Sequence, residues 1–536
     1  MSPALRAGGL VVLALLLAAP LRAETTLRLL ARSAAGSIDP QINYTSQFWQ
    51  VFATTYDGLV AFRKVAGPRG TEIVPDLADA VPEPGDGRSY RFHLRAGVRF
   101  SDGRPVRPAD VVASFRRMFR IGSPTAGTFF GTLEGAEACL AHPADCALPG
   151  ALPGVRVEGD TITLTLTRPD PEFLQKLALP HASILPEDAP GTDAGTVPLP
   201  GTGPYRIVRY DPNDALVLER NPFFRVWNPD AQPPALPDAV RYEFGLESEA
   251  QVTAVLNGQA DWMFDAPPPD RLAEAGTHPG QVHLNPAFAL LFVPLNTRIP
   301  PFDDVRVRRA FNLAVDRRAV VRLFGGRALA VPLCQAVPPG LPGHEPYCPY
   351  GRDLVAARAL VMEAGAAGQP VTLVVDNAAT SRAIGTYLLD VLRDMGLRPR
   401  LQSLSGDVQF SYIQNTGNQV QASLTSWYAD YPSAANILAG NFGCAAFHPG
   451  SDSSTNIPGF CDAALDARLE RALAAVDAGE VAAVDRAVTD AAPAVVLLAP
   501  RYVNLLSRRV EGFAYHETFR WLFAQARVAP GVVARE

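Results

Sequence analysis

The sequence predicts an α/β protein of two or three domains. The 536 residues exceed what a single hydrophobic core usually organises. Segments with strand character alternate with segments of helical spacing along most of the chain, which is typical of an α/β architecture. The clearest transition starts with the apolar run Phe288–Leu295 and continues into a helix with one apolar face. The residues of that face are Val307, Ala310, Phe311 and Ala314.

The remaining elements follow in the same alternating order. Asp303 or Asp304 is expected to cap the helix after the apolar run, because a short carboxylate accepts the free N–H groups of a first turn. Strands are predicted at Thr26–Leu30, Ile73–Leu77, Tyr90–Leu94, Thr161–Thr167, Ala215–Arg220, Asp238–Phe244, Val371–Val375, Arg398–Leu404, Ala422–Trp427, Ala494–Leu498 and Tyr502–Ser507. Helices are predicted at Asn43–Thr54, from Asp110 onward, and at Glu249–Asn257, Asp353–Gly365 and Ser381–Gly396.

Composition and charge exclude several functions. The net charge is −6 and both signs are spread along the chain, so no basic surface for nucleic acid or for an anionic membrane is indicated. The lysines are Lys64 and Lys176, and neither follows a glycine. A Walker A loop requires Gly-Lys, so the chain is not itself a P-loop ATPase.

The N-terminal residues 1–23 have the features of a cleavable signal peptide. Arg6 precedes the apolar run Leu10–Ala19, and Ala23 provides a small residue at the expected cleavage point. The run is short for a membrane span, and an uncleaved anchor is the alternative. No cysteine lies near the cleavage point, so a lipoprotein anchor is not expected.

Six cysteines fit an oxidising compartment. Each near pair encloses a Pro-, Gly- or Ala-rich stretch, and local pairing would close each loop with little rearrangement. The predicted disulfides are Cys139/Cys146, Cys334/Cys348 and Cys444/Cys461. Buried free thiols are the alternative, and zinc binding is weaker because no Cys-x-x-Cys occurs.

Several strings in a fixed order resemble one protein family. They are GVRFSDGRPV and ADVVASF within 97–115, GTGPY at 201–205, LNTRIPPFDDVRVRRAFNLAVDR at 295–317, and SWYADYPS at 426–433. Together they resemble the extracytoplasmic solute-binding proteins of peptide-type ABC importers, the family of oligopeptide-, dipeptide- and nickel-binding proteins. The resemblance implies a two-lobed periplasmic-binding-protein fold of type II with an extra inserted domain and a hinge between the lobes. The implied boundaries are 24–58, 199–285 and 498–536 for lobe I, 59–198 for the extra domain, and 286–497 for lobe II.

The same resemblance implies a function. The protein would capture a small solute, expected to be an oligopeptide or another amine-bearing compound, and deliver it to a membrane permease with its ATPase. It would be periplasmic and monomeric, without cofactor or metal. The alternatives are an exported peptide-holding chaperone, a ligand receptor or a periplasmic hydrolase. The sequence contains no His-Glu-x-x-His and no Gly-x-Ser-x-Gly, which disfavours the hydrolase.

The segment 426–433 carries the strongest candidate ligand contacts. Trp427, Tyr428 and Tyr431 can form the walls of a pocket, and Asp430 can hold a cation through a charge-assisted hydrogen bond. The resemblance implies that Asp430 receives the α-ammonium of a peptide. Two alternatives remain: Asp430 caps the following helix, or the aromatic residues belong to the core.

Candidate contacts on the facing lobe follow the turn at Asp39–Pro40. They are Tyr44, Phe48 and Trp49, and packing of one amphipathic helix in the core is the alternative. Asn441 is a further candidate downstream of Asp430. No basic residue occurs in 402–425, so the sequence identifies no partner for a ligand carboxylate.

Overall fold

The computed structural model of the chain describes residues 25–83, 85–268 and 270–529. The predicted signal peptide at 1–23 therefore lies outside the described residues. Strands alternate with helices, as an α/β fold requires. Among the described residues, no helix is long and apolar enough to cross a membrane.

The sheets of the first lobe include one mixed sheet. Its strands, in spatial order, are Trp262–Met263, Thr26–Ala31, Ala239–Phe244, Ala215–Arg220 and Tyr205–Tyr210. Thr26–Ala31 pairs in parallel with both of its neighbours, and the other pairs are antiparallel. A smaller antiparallel sheet has the order Ser89–His93, Thr161–Thr165, Val155–Glu158. Short strand pairs are Val60–Phe62 with Ile73–Pro75, Tyr515–His516 with Arg520–Trp521, and Val510–Glu511 with Arg527–Val528.

One sheet joins the two lobes. Its order is Val282–Pro286, Ala494–Leu505, Ala289–Pro294, Thr425–Tyr428, with Ala330–Pro332 also paired to Ala494–Leu505. The second lobe holds a parallel sheet of Arg398–Leu404, Pro370–Asp376 and Ala422–Ser423. Ala494–Leu505 and the connected strands Val282–Pro286 and Ala289–Pro294 both run between the lobes.

Helices cover these sheets. The α-helices are Ser46–Thr55, Pro108–Arg120, Ala126–Phe130, Ala136–Ala141, Phe173–Leu177, Ser248–Leu256, Leu272–Gly276, Val305–Ala314, Arg317–Leu323, Leu354–Glu363, Ala379–Asp394, Gly406–Gln414, Ala434–Phe442, Ala463–Ala474 and Ala478–Ala491. The 3-10 helices are Pro68–Thr71, Pro143–Ala147, Pro180–Ala182, Thr416–Asn418, Cys444–Ala446 and Phe523–Gln525.

The predicted helix after the apolar run is confirmed. It spans Val305–Ala314, and Asp304 caps it by accepting the backbone N–H of Arg306 at 2.8 Å. The four residues of the predicted apolar face are all buried, together with Phe302 and Val315, in the core of the second lobe. Burial of that face, rather than helix propensity, holds the helix on the sheet.

Several predicted elements differ from the structure in their bounds; the helix expected at Asn43–Thr54, for example, spans Ser46–Thr55. The helix expected from Asp110 begins at Pro108, and Asp110 instead accepts the backbone N–H of Arg107 at 2.7 Å. The strand expected at Ala422–Trp427 is divided at Leu424, because its two parts pair with strands of different sheets. The strands expected on either side of Pro500 form one strand, since its two ends pair with strands of the two lobes.

The domain boundaries given above are our proposal. The strands Ala289–Pro294 and Ala494–Leu505 run between the lobes and support the boundaries at 285/286 and at 497/498. Residues of 59–198, such as Phe92 and Phe130, share one continuous hydrophobic core with Leu27 and Tyr205 of the first lobe. The proposed extra domain is therefore packed on the first lobe rather than attached by a linker.

All six cysteines form the predicted disulfides. The Cα–Cα distances are 5.3 Å for Cys139–Cys146, 5.2 Å for Cys334–Cys348 and 4.6 Å for Cys444–Cys461, within the usual range. The alternative of free buried thiols is wrong. The bridge at 444–461 closes the loop that follows the helix Ala434–Phe442.

Removal of the Cys444–Cys461 disulfide should destabilise the protein. Its sequence separation of 17 residues corresponds to about 3 kcal/mol of loop-closure entropy. The double variant Cys444→Ala/Cys461→Ala should therefore unfold at a lower urea concentration. Cys139→Ala/Cys146→Ala, with a separation of 7 residues, is the matched control and should lose ~0.8 kcal/mol less. Equal or reversed losses would contradict a loop-entropy origin.

Candidate functional site: the interlobe cavity

A cavity of about 850 Å³ lies between the lobes. We call it the interlobe cavity. Its first-lobe wall includes Tyr44, Trp49 and Arg520, and its second-lobe wall includes Trp427–Tyr431. The volume is in the range of small-molecule sites, and aromatic walls with a few polar groups are typical of such sites. Among the described residues, no cluster of His, Cys, Asp or Glu could hold a metal ion.

Asp430 is the acidic group on the second-lobe wall. It follows the strand Thr425–Tyr428. Tyr44 OH donates a hydrogen bond to its Oδ1, and Asn436 Nδ2 donates to its Oδ2 at 2.8 Å. Removal from bulk solvent raises the pKa of the Asp430 carboxyl, and the hydrogen bonds from Tyr44 and Asn436 oppose that shift. An ionised carboxylate can accept further donors, so the group is suited to a cationic ligand.

Ser433, not Asp430, caps the next helix. The Ser433 hydroxyl accepts the backbone N–H of Ala435 at 3.0 Å, at the start of Ala434–Phe442. The capping alternative for Asp430 is therefore wrong. Asn436, in the first turn of this helix, orients the site instead: its Oδ1 accepts Trp427 Nε1 at 3.1 Å and the backbone N–H of Asp430 at 3.2 Å.

A second set of contacts joins the two walls. Glu172 accepts the Tyr431 hydroxyl at 2.9 Å and also the Ser433 hydroxyl. Phe129 meets Tyr431 edge to face, with ring centroids 5.8 Å apart. Glu172 and Phe129 belong to the segment 59–198, so that segment contacts the second-lobe wall. Neither residue is predicted by the sequence motifs, because nothing near them in the chain distinguishes them from ordinary surface and core residues.

Replacement of Glu172 by alanine should favour separation of the lobes. The change removes two hydrogen bonds to a buried carboxylate, which contribute about 1–3 kcal/mol to the contact. Ligand affinity should fall about 10-fold, because binding then has to supply the closing energy that these bonds provide. Small-angle scattering should show a larger radius of gyration for the ligand-free variant. Glu187→Ala, an exposed glutamate of the same segment, is the control, and equal behaviour of the two variants would contradict the role of Glu172.

The other predicted contacts divide into two groups. Trp427, Tyr428, Tyr431, Tyr44 and Trp49 all line the interlobe cavity, and Tyr428 is 50% exposed. Phe48 and Asn441 do not. Phe48 is fully buried and packs against Tyr210 and Phe244, so for this residue the core alternative applies. Asn441 is buried in its own helix and donates to the carbonyl of Ile437 at 3.0 Å.

Arg520 is a cavity residue that sequence analysis missed. It lies on the short strand Arg520–Trp521, is only 5% exposed, and its guanidinium stacks on the ring of Tyr502 at 4.2 Å. The guanidinium carbon also lies 4.4 Å from the centre of the Phe264 ring. Arg520 lies far in the sequence from 402–425, the segment near Asp430 that contains no basic residue. Arg520 reaches the cavity only through tertiary folding of the C-terminal segment.

The fold and this cavity define a two-lobed solute-binding protein. The family described as "Bacterial extracellular solute-binding proteins, family 5 Middle" matches residues 72–448, and the chain belongs to this family. The family expected from the sequence motifs is thereby confirmed.

Individual relatives are binding proteins by name. The chain is 27% identical over 502 residues to di/tripeptide-binding protein 4 of Pseudomonas aeruginosa, covering 89% of this chain and 90% of the relative. It is 24% identical over 451 residues to the glutathione-binding protein GsiB of Escherichia coli, covering 82% of each. Among solved structures it is similar to clavulanic acid biosynthesis oligopeptide binding protein 2, with a TM-score of 0.87, 26% identity and coverage of 95% and 96%.

Proposed function

We propose that this protein is the substrate-binding component of an ABC importer that captures short peptides, or other amine-bearing solutes, in the interlobe cavity. Asp430 is the observation that carries the proposal. It is a carboxylate on the cavity wall with no basic partner among the described residues, only the donors Tyr44 and Asn436. A ligand ammonium would supply the missing positive charge.

The cavity walls support a peptide-sized ligand. Trp427 and Tyr428 offer aromatic area to apolar side chains, and Ser426 and Thr128 add polar groups to the lining. The named relatives bind di- and tripeptides or glutathione, all of which carry an amine. Ligand contacts made to both walls would stabilise the closed arrangement, since only differential contacts can shift such an equilibrium.

The remaining parts of the proposal concern cellular context. The signal peptide at 1–23 is cleaved on export, and the mature protein acts as a monomer outside the cytoplasm. The loaded form docks on a membrane permease whose ATPase supplies the energy. It catalyses no reaction, in line with the binding functions of the named relatives.

A thermal-unfolding screen of the mature protein tests the proposal. The panel holds di- to pentapeptides, their N-acetylated forms, oligosaccharides and nickel chelates. A ligand at 100 times its Kd adds about 2.7 kcal/mol to the free energy of unfolding, so free peptides should raise the midpoint and N-acetylated peptides should not. Equal shifts by both forms, or shifts by sugars only, would overturn the proposal. Binding only of long peptides of any sequence would favour a peptide-holding chaperone.

A further inference from the structure

We infer that Arg520 is the subsite for the carboxylate of the ligand, so that the protein selects zwitterions with an amine at Asp430 and a carboxylate at Arg520. This inference rests on the proposed function and extends it to the second charged end of the ligand. The sequence motifs assign no residue to that role, and the segment next to Asp430 offers none.

The guanidinium of Arg520 lacks an acidic partner. It forms no hydrogen bond or ion pair with any residue that the structure describes, and its Nε is buried without a hydrogen-bond partner. Lys176, the lysine that lines the cavity, already forms an ion pair with Asp170 at 2.6 Å. A buried charge without a partner is costly, and the space beside Arg520 that could hold one is the interlobe cavity.

The surrounding rings orient the guanidinium without neutralising it. Tyr502 and Phe264 contact it at 4.2 and 4.4 Å, and Trp262 lies at 5.7 Å. Such faces attract a cation but offer no carboxylate oxygens for its N–H groups. A planar guanidinium fixed in this way can bind a carboxylate through two parallel hydrogen bonds. The arrangement is that of a preorganised anion site.

Neighbouring groups of the same turn face the same cavity. Thr518 Oγ1 is buried without a hydrogen-bond partner and lines the cavity beside Arg520, so it can donate a further hydrogen bond to a carboxylate. Glu517 also lines it, with no ion pair to Arg520 among the described residues, and burial raises the pKa of its carboxyl.

The backbone at Arg520 points to the same role. Its φ of +60° lies in the left-handed region, where a non-glycine residue is strained. The strain persists at a position where the side chain enters a cavity, which is typical of functional sites. Glycine would relieve the strain but would remove the guanidinium.

Calorimetry with matched peptides tests the inference. The probes are L-alanine peptides of two to five residues, each as the free peptide, the C-terminal amide and the N-acetyl form. A charge-assisted bidentate contact corresponds to roughly a 10- to 100-fold difference in Kd, so the amide should bind the wild-type protein that much more weakly. Arg520→Gln should weaken binding of the free peptide by a similar factor and should no longer distinguish it from the amide. Arg527→Gln, an exposed arginine of the same segment, is the control and should behave as wild type.

The outcomes separate the inference from the proposed function. If N-acetylation abolishes binding but the amide binds wild type as tightly as the free peptide, Asp430 keeps its role and the Arg520 subsite is overturned. If Arg520→Gln does not fold, Arg520→Lys and the comparison of free peptide with amide on the wild-type protein test the inference instead. A lysine retains the charge but not the bidentate geometry, so Arg520→Lys should bind the free peptide more weakly than the wild-type protein does. Failure of every peptide to bind wild type overturns both proposals.

Discussion

Replacement of Asp430 by asparagine is expected to abolish the selectivity of the protein for free amines. Removing one charge of a buried, hydrogen-bonded ion pair costs about 2–5 kcal/mol, so the Kd for a free peptide should rise at least ~30-fold. The Asn side chain keeps the volume and can still accept the Tyr44 hydroxyl, so the cavity should retain its shape. Calorimetric titration with free and N-acetylated tripeptide measures the effect: the variant should bind both forms weakly and equally.

The pH dependence of binding gives an independent measure of the same group. Burial raises the pKa of Asp430 in the ligand-free protein, and an ammonium ligand favours the ionised form. Affinity should therefore be full above that raised pKa and should fall as the pH is lowered through it. Asp430→Asn should lose this dependence, whereas the exposed control Asp394→Asn should retain it. A wild-type affinity that rises at low pH would contradict the assignment.

Replacement of Arg117 by methionine is expected to have the largest effect on stability. Arg117 Nη1 donates to Asp39 Oδ1 at 3.1 Å and to Gln41 Oε1 at 2.7 Å, and Asp39 is fully buried. Loss of the guanidinium leaves an uncompensated buried carboxylate, which costs about 3–5 kcal/mol. The same change should weaken ligand binding, because Asp39 holds the turn that leads to Tyr44 by accepting the backbone N–H of Gln41.

Urea unfolding followed by circular dichroism measures this loss. Arg91→Met, an exposed arginine of the strand Ser89–His93, is the control and should change stability by no more than about 0.5 kcal/mol. Addition of Asp39→Asn to Arg117→Met should recover part of the loss, since it removes the unpaired charge. A double variant that is less stable than Arg117→Met alone would contradict the electrostatic account.

Local signals were sufficient for most of the fold. The helix Val305–Ala314 and its cap at Asp304 follow from apolar spacing and a short carboxylate. The three disulfides follow from proximity along the chain. One error occurred where partners from different lobes decide the outcome, in the continuous strand Ala494–Leu505.

The site was predicted less completely for a related reason. Asp430 and its aromatic neighbours are contiguous in the chain and could be found as one motif. Glu172 and Arg520 line the cavity but belong to segments far from that motif in the sequence. Phe48 does not line the cavity, because its side chain points from the helix into the core. Helical spacing around Phe48 shows an apolar face but not which side of the helix a ligand would meet.

The most direct test of ligand capture at Asp430 is a crystal structure of the mature protein with tri-L-alanine. We expect the peptide in the interlobe cavity, with its α-ammonium nitrogen within about 3.2 Å of an Asp430 carboxylate oxygen. A peptide bound in the cavity with its amine away from Asp430, or bound elsewhere on the protein, would contradict the account.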